Sequence, residues 1–258
     1  RRTSVELELF VHGAMCISYS GRCLLSSYFT GRDANRGSCA QSCRWKYALV
    51  EASRPGEYYP VEEDERGTYI MNSKDLCLLP HLDEVVDCGI DSLKIEGRMK
   101  SVHYVASVVK AYRMALDACL TNADYEVREE WLTELEKVSH RAYTTGFFFG
   151  KTTGADQIYG SSSYEQSSDF IGLVRAYDPV TQLATVEQRN NMKCGQEIEI
   201  FQPLGKAFRQ ELAKMWDAEG QEITAAPHPQ QLVYIRMEQP VEPNSILRRD
   251  IQMKKEMR

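Results

Sequence analysis

Four cysteines carry the most specific chemistry in this sequence. Cys16 and Cys23 stand seven positions apart, just past an apolar run. Cys39 closes Asn35-Arg36-Gly37-Ser38-Cys39, and Cys77 closes Asn72-Ser73-Lys74-Asp75-Leu76-Cys77. Each lies in a loop-like or element-end context rich in Gly, Ser, Asn and Arg. Thiolates are soft donors whose charge offsets that of iron or zinc, so four of them gathered together hold an iron–sulfur cluster or a zinc ion. No Cys-x-x-Cys pair is present among the four. The spacing alone also admits a plainer role as small buried apolar residues. Cys43, four residues after Cys39, competes as the third ligand. Cys88 and Cys119 fall on expected helices and read as core, and Cys194 reads as structural.

Three further groups surround this set. His12 and Glu8 flank the first cysteine. An imidazole titrates near neutrality and can transfer protons, or it can orient a loop through a hydrogen bond. Lys94, Glu96 and Arg98 alternate in Ser92-Leu93-Lys94-Ile95-Glu96-Gly97-Arg98, so on a strand they point to one side. Arg98 then suits a bidentate carboxylate contact, the plainer alternative being a structural ion-pair network. Arg32, Asp33, Asn35, Arg36, Arg44, Trp45 and Lys46 mix cations with a ring. Such a mixture grips single-stranded RNA, with cations on phosphates and rings on bases, or it packs as an ordinary loop. Phe147, Phe148 and Phe149 read as core rather than as a base-stacking surface. His-Glu-x-x-His and Gly-x-Ser-x-Gly are both missing from the sequence. Cys16 and His12 could be drawn as a nucleophile pair, but an iron-bound cysteine is not a free nucleophile.

The elements that position these residues follow from periodicity. Residues 5–11 read as a strand, 12–47 as a long loop with short helical pieces, and 53–67 as an exposed acidic excursion. A short strand is expected over 68–71 and a short helix from Ser73, a plausible N-cap. A helix over 80–88 ends at Gly89, and 92–95 reads as a buried strand. Apolar residues at Val102, Val105, Ala106, Val109, Tyr112, Leu116 and Leu120 recur at helical spacing, so a long amphipathic helix spans 101–120, with another over 127–138. This alternation predicts the C-terminal part of a TIM-like (β/α) barrel over residues 1–150. Residues 151–168 read as a linker. Residues 169–258 read as a small all-β barrel, with strands over 170–177, 183–188, 197–201 and 232–237.

Bulk properties bound the function. The chain has 258 residues, 43% hydrophobic and 26% charged, with a net charge of −6. Residues 1–50 nevertheless carry seven Lys/Arg against three Asp/Glu, a local basic face able to meet RNA phosphates or simply to be solvated. No apolar run reaches the roughly 18 residues of a membrane span, so no membrane partner is expected. The sequence opens on Arg1-Arg2-Thr3 and enters a strand almost at once, which reads as a start inside a domain. Eight cysteines, irregularly spaced in a chain of this length, fit a cytosolic metal-binding protein better than a disulfide scaffold.

Several motifs together resemble the signature of peptidase family U32. They are Glu8-x-Phe10-x-x-Gly13-Ala14-x-Cys16, Cys23-x-Leu25-Ser26, the run from Arg32-Asp33 to Cys43-Arg44-Trp45, and Ser92 through Arg98. The resemblance is dense over 5–150 and looser beyond. Members were first called collagenase-like proteases, and several relatives are hydroxylation proteins acting on transfer RNA, ribosomal RNA or the ubiquinone ring. The chain looks most like the branch linked to 5-hydroxylation of the wobble uridine of tRNA with prephenate as co-substrate. The resemblance implies a 4Fe–4S cluster on Cys16, Cys23, Cys39 and Cys77, and a cytoplasmic protein whose partners are tRNA and a paralogous subunit. It also makes Lys94, Glu96 and Arg98 candidates for the two carboxylates of prephenate. The alternatives are a true collagenase-like peptidase and a non-catalytic iron–sulfur partner of a hydroxylase acting on rRNA or the ubiquinone ring.

Overall fold

The computed structural model describes residues 4–16, 23–45, 48–49, 52–53, 55–56, 59–60, 73–121, 125–152, 154–156, 158 and 164–251. Expectations for 68–71 and for Lys46 lie outside them. The chain divides into two compact units: Arg1–Leu135 with Ser139–Glu165, and Glu136–Val138 with Gln166–Arg258.

The first unit is mixed α/β. Its strands are β1 (Glu8–Ala14), the short antiparallel pair β2 (Ala48–Leu49) and β3 (Tyr59–Pro60), β4 (Asp75–Cys77), β5 (Ser92–Ile95) and β6 (Tyr143–Thr144). Its helices are α1 (Leu25–Thr30), α2 (Leu82–Asp87), α3 (Val102–Thr121) and α4 (Glu129–Glu136). The main sheet has the order β5-β1-β4-β6. β1 and β5 are parallel, as are β4 and β6, but β1 and β4 run antiparallel. A TIM barrel needs every neighbouring pair parallel. Among the described residues the sheet is therefore mixed and four-stranded, where part of a TIM-like barrel was expected.

Three local expectations fail here. Residues 75–77 form β4 rather than a helix begun by Ser73. A Ser cap contributes only about 1 kcal/mol, whereas β4 pairs on both sides and buries Asp75, Leu76 and Cys77. In β1 the register shifts between Phe10 and His12, so that Phe10 faces Lys94 and His12 faces Ile95. This bulge breaks the alternation. Glu8 and Phe10 stay exposed, while both Val11 and His12 are buried. Phe147 and Phe149, expected in the core, are 66% and 59% exposed.

α3 follows its predicted period. Tyr104, Val108, Ala111, Tyr112 and Ala115 form the buried stripe. The Tyr112 hydroxyl donates to the Val11 carbonyl oxygen at 2.8 Å and accepts from the Leu78 N–H at 3.1 Å. One side chain thus ties α3 to β1 and to the residue that leaves β4. Burial holds the phenol well above its ordinary pKa, so it remains a neutral donor.

The second unit is β-rich. It contains β7 (Ser168–Asp178), β8 (Leu183–Gln188), β9 (Met192–Lys193), β10 (Glu197–Phe201), β11 (Phe208–Glu211), β12 (Met215–Trp216), β13 (Glu222–Ile223), β14 (Ala225–Ala226), β15 (Leu232–Arg236) and β16 (Ile246–Asp250). Eight of these form one sheet in the order β11-β10-β16-β7-β8-β15-β12-β13, with β9 and β14 pairing separately. Register shifts in β7 against both β8 and β16 bend the sheet. It curls as a half-barrel over a single core that includes Ile171, Val186, Ile198, Ile200, Val233 and Leu247.

One buried ion group sits within this unit. Glu199 lies 2.6 Å from the Arg248 Nε and 3.0 Å from the Lys137 Nζ. Burial pushes the carboxyl up, but the Arg248 and Lys137 charges outweigh it and hold the pKa below its ordinary 4.5. The unfolded chain therefore takes up the proton first as pH falls. The stability this carboxylate contributes is present above pH 4.5 and is lost as pH drops through the lower folded value.

Two predictions follow from these contacts. Glu199→Ala leaves Arg248 buried without that carboxylate and should lower the unfolding free energy by about 3–5 kcal/mol in urea titration. The loss should shrink when the same titration is run in acid. Tyr112→Phe removes the bonds to Val11 and Leu78. The Leu78 N–H keeps its 2.9 Å bond to the Val11 carbonyl oxygen, so the change should cost only about 0.5–1.5 kcal/mol in urea titration.

Candidate functional site

The segment from Cys23 to Trp45 is built around polar ties rather than an apolar core. α1 ends at Gly31, whose positive φ of 68° lets its N–H reach the Ser27 carbonyl oxygen. Within α1 only Ser26 is buried, and its hydroxyl accepts the Ala40 N–H at 2.9 Å. Ser27 donates to Asp33 at 3.0 Å, and the Ser38 N–H reaches the Asp33 carbonyl at 3.0 Å. The turn at Gly37 is closed from outside the segment. Arg98 donates through Nη2 to the Arg36 carbonyl at 2.8 Å. A Cβ on Gly37 would stand 1.7 Å from the Arg98 Cζ, so glycine is what lets the guanidinium lie there. Gln41 is tied to the Tyr164 hydroxyl.

The cysteines are distributed unevenly over this frame. Cys16 is exposed at the end of β1, and Cys23, Cys39 and Cys43 are half-buried around α1. The Cys39 Sγ accepts the Gln41 N–H at 3.3 Å. Cys77 is buried in β4 opposite His12, with its Sγ 3.8 Å from the Tyr112 hydroxyl. Burial pushes its thiol up to about 11. Among the described residues, no three His, Cys, Asp or Glu side chains gather into a set able to hold a metal ion.

His12 and Glu8 part company at the β1 bulge. Glu8 lies on the exposed face, where it accepts from the Lys94 Nζ at 2.8 Å and from the Ser92 hydroxyl at 2.9 Å. The Lys94 and Ser92 hydrogen bonds hold its pKa below the usual carboxylate value. His12 is buried, its ring 5.4 Å from those of Tyr112 and Tyr143 and 6.0 Å from that of Tyr104. Burial pushes its pKa down to about 3, with the His140 and Lys100 charges adding to the effect. Its Nε2 has no hydrogen-bond partner among the described residues. The imidazole is a neutral core group at any ordinary pH.

The charged alternation after Ser92 also resolves differently from its sequence pattern. β5 ends at Ile95, so Glu96 and Arg98 lie beyond the strand and do not share one of its faces with Lys94. Lys94 faces Glu8 and lies 4.9 Å from the Phe10 ring centroid. Glu96 accepts the Arg98 N–H at 3.0 Å, and the Arg98 side chain reaches the Gly37 turn. The close approach of Gly13 and Glu96 adds a further constraint. Gly13 has φ 119°, and a Cβ there would stand 2.4 Å from the Glu96 carbonyl oxygen.

Of the expected RNA contacts, Arg32, Arg36 and Trp45 are exposed on the cysteine segment, with the Arg36 Nε 3.8 Å from Asp33. The Arg44 side chain lies outside the described residues, as Lys46 does. Two rings that no motif marked join Trp45 here: Phe29 lies beside it, and Tyr28 meets Phe29 edge to face. Tyr28 is 82% exposed and Phe29 46%. The available signal was a six-residue helix whose inward residue is a serine.

The model of peptidase family U32 matches residues 1–158, and that of the family's C-terminal domain matches 166–248. The chain is 42% identical over 249 residues to tRNA hydroxylation protein P1 of Bacillus subtilis, covering 96% of this chain and 59% of that protein. It is 34% identical over 283 residues to tRNA hydroxylation protein P of Escherichia coli, covering 94% and 62%. It is 33% identical over 202 residues to a collagenase of Porphyromonas gingivalis, covering 77% and 54%. The chain thus spans about three fifths of the length of the two tRNA hydroxylation proteins. No helix among the described residues is long and apolar enough to cross a membrane. The chain belongs to peptidase family U32, carrying the family's main domain followed by its C-terminal domain.

Proposed function

We propose that this chain takes part in 5-hydroxylation of the wobble uridine of tRNA, with prephenate as co-substrate. The observation that carries the reading is similarity along 96% of the chain to a protein named for tRNA hydroxylation. The exposed cations and rings of the 23–45 segment support it, because unpaired RNA is held by charge and stacking together. Such an activity belongs in the cytoplasm. In this reading the β1–β5 parallel pair, with α3 packed against it, is one wedge of a (β/α) barrel. Cys16, Cys23, Cys39 and Cys77 remain the cluster ligands that the family resemblance implies. Thiolates are soft donors whose charge offsets that of iron, which suits four of them to that role. Arg98 keeps its other guanidinium N–H groups for an anionic group such as a prephenate carboxylate.

A second reading, proteolysis, is favoured by the similarity to a collagenase. Against it, the base that would activate Cys16 is His12, which is buried and whose pKa, lowered to about 3 by burial, makes it a weak base.

Loss of the gene should remove the 5-hydroxyl-derived group from wobble uridine, read by mass spectrometry of tRNA nucleosides. Purified protein should leave gelatin intact. Gelatin hydrolysis abolished by Cys16→Ser, with tRNA nucleosides unchanged in the deletion, would give the function to the peptidase. Iron analysis of anaerobic protein tests the ligands independently. Cys16→Ser, Cys23→Ser, Cys39→Ser and Cys77→Ser should each lose most of the iron, and Cys88→Ser should retain it.

A further inference from the structure

Along α1 the burial pattern is inverted. Ser26 points inward and holds the Ala40 N–H, while Leu24 at 75% exposure, Tyr28 at 82% and Phe29 at 46% lie outward. The Tyr28 and Phe29 rings are 5.2 Å apart, edge to face. The Phe29 and Trp45 rings are 6.4 Å apart and tilted. Trp45 is itself 45% exposed. Leaving three neighbouring aromatic groups in water forgoes burial that a folded chain normally uses, and such patches mark interaction surfaces.

The patch is held stiffly. The Ser26–Ala40 bond, the Arg98–Arg36 bond and the Tyr164–Gln41 bond fasten its supporting loop at three points. Rings on a frame of this kind meet a partner with little ordering cost. The charge around them is one-sided in sequence: Arg32, Arg36, Arg44 and Lys46 against Asp33 alone. Arg32 and Arg36 are exposed beside the rings. A second copy of the same face would bring like charges together, which disfavours self-association through it.

We propose that Tyr28, Phe29 and Trp45 form a stacking platform for unpaired nucleobases of an RNA loop, with Arg32 and Arg36 meeting its phosphates. The proposal rests on the tRNA reading above and identifies the surface that engages the RNA. Aromatic faces stack on any exposed base, whereas a paired helix keeps its bases inside. The platform therefore selects loops over duplexes without reading their sequence.

The test uses the full chain and two labelled RNAs, a hairpin with a single-stranded, uridine-containing loop and a blunt duplex of equal length, in fluorescence anisotropy. Tyr28→Ala, Phe29→Ala and Trp45→Ala should each weaken hairpin binding roughly 5- to 150-fold and leave duplex binding unchanged. The salt dependence should stay that of the wild type. Arg36→Ala should lower the salt slope by about 0.7 and affect both RNAs. Tyr28→Phe keeps the ring and should bind as the wild type does, which separates stacking from a hydroxyl hydrogen bond and from misfolding. If the wild type binds the hairpin and the three Ala variants bind it equally well, the platform is wrong while the tRNA reading stands. Equal losses on hairpin and duplex also overturn stacking. A wild type that binds neither RNA removes both claims. Loss of gelatin binding in the same variants, with RNA binding intact, assigns the face to a protein partner.

Discussion

The Tyr112 hydroxyl is the contact on which the first unit's arrangement depends. It braces a backbone pair already joined: the Leu78 N–H reaches the Val11 carbonyl oxygen at 2.9 Å, and the hydroxyl donates to that oxygen and accepts from that N–H. Both partners stand at irregular points: Val11 at the β1 bulge and Leu78 just past β4. A side chain from α3 adds a second bond to each of these two backbone groups. Because α3 is fixed by this bond, the aromatic surroundings of His12 and Cys77 are fixed with it.

That arrangement separates two kinds of residue that are adjacent in sequence. His12 and Cys77 face the interior, beside the Tyr112 side chain. Glu8, Lys94 and the rings of the cysteine segment face outward, where charge and stacking are available to a partner. Arg98 links the two regions mechanically. It leaves the end of β5 and holds the Gly37 turn, so the placement of the outward rings depends on where that strand stops.

The second unit solves a different problem. Its core is one apolar cluster under a curved sheet, and its buried charges are concentrated at Glu199, Arg248 and Lys137. Lys137 comes from the short stretch following α4 and Arg248 from the last strand, so this ion group closes the unit from both ends of its chain.

Period and motif were legible in the sequence alone. α3 appeared as apolar residues at helical spacing, because a single helix face needs only local periodicity. β8, β10 and β15 appeared as short strands between turns, for the same reason. The cysteine, glycine and arginine motifs pointed to the U32 family, whose model then matched. Tertiary pairing decided the rest. The bulge that turned His12 inward depends on how β1 lies against β5, more than eighty residues away. The conversion of 75–77 into β4 depends on partners on both sides. The end of β5 at Ile95 dispersed a charge pattern that alternates in sequence. The exposure of Tyr28 and Phe29 followed from Ser26 reaching Ala40. Each of these is a register or packing choice between distant segments. A local pattern carries the propensity of a segment but not the partner that overrides it.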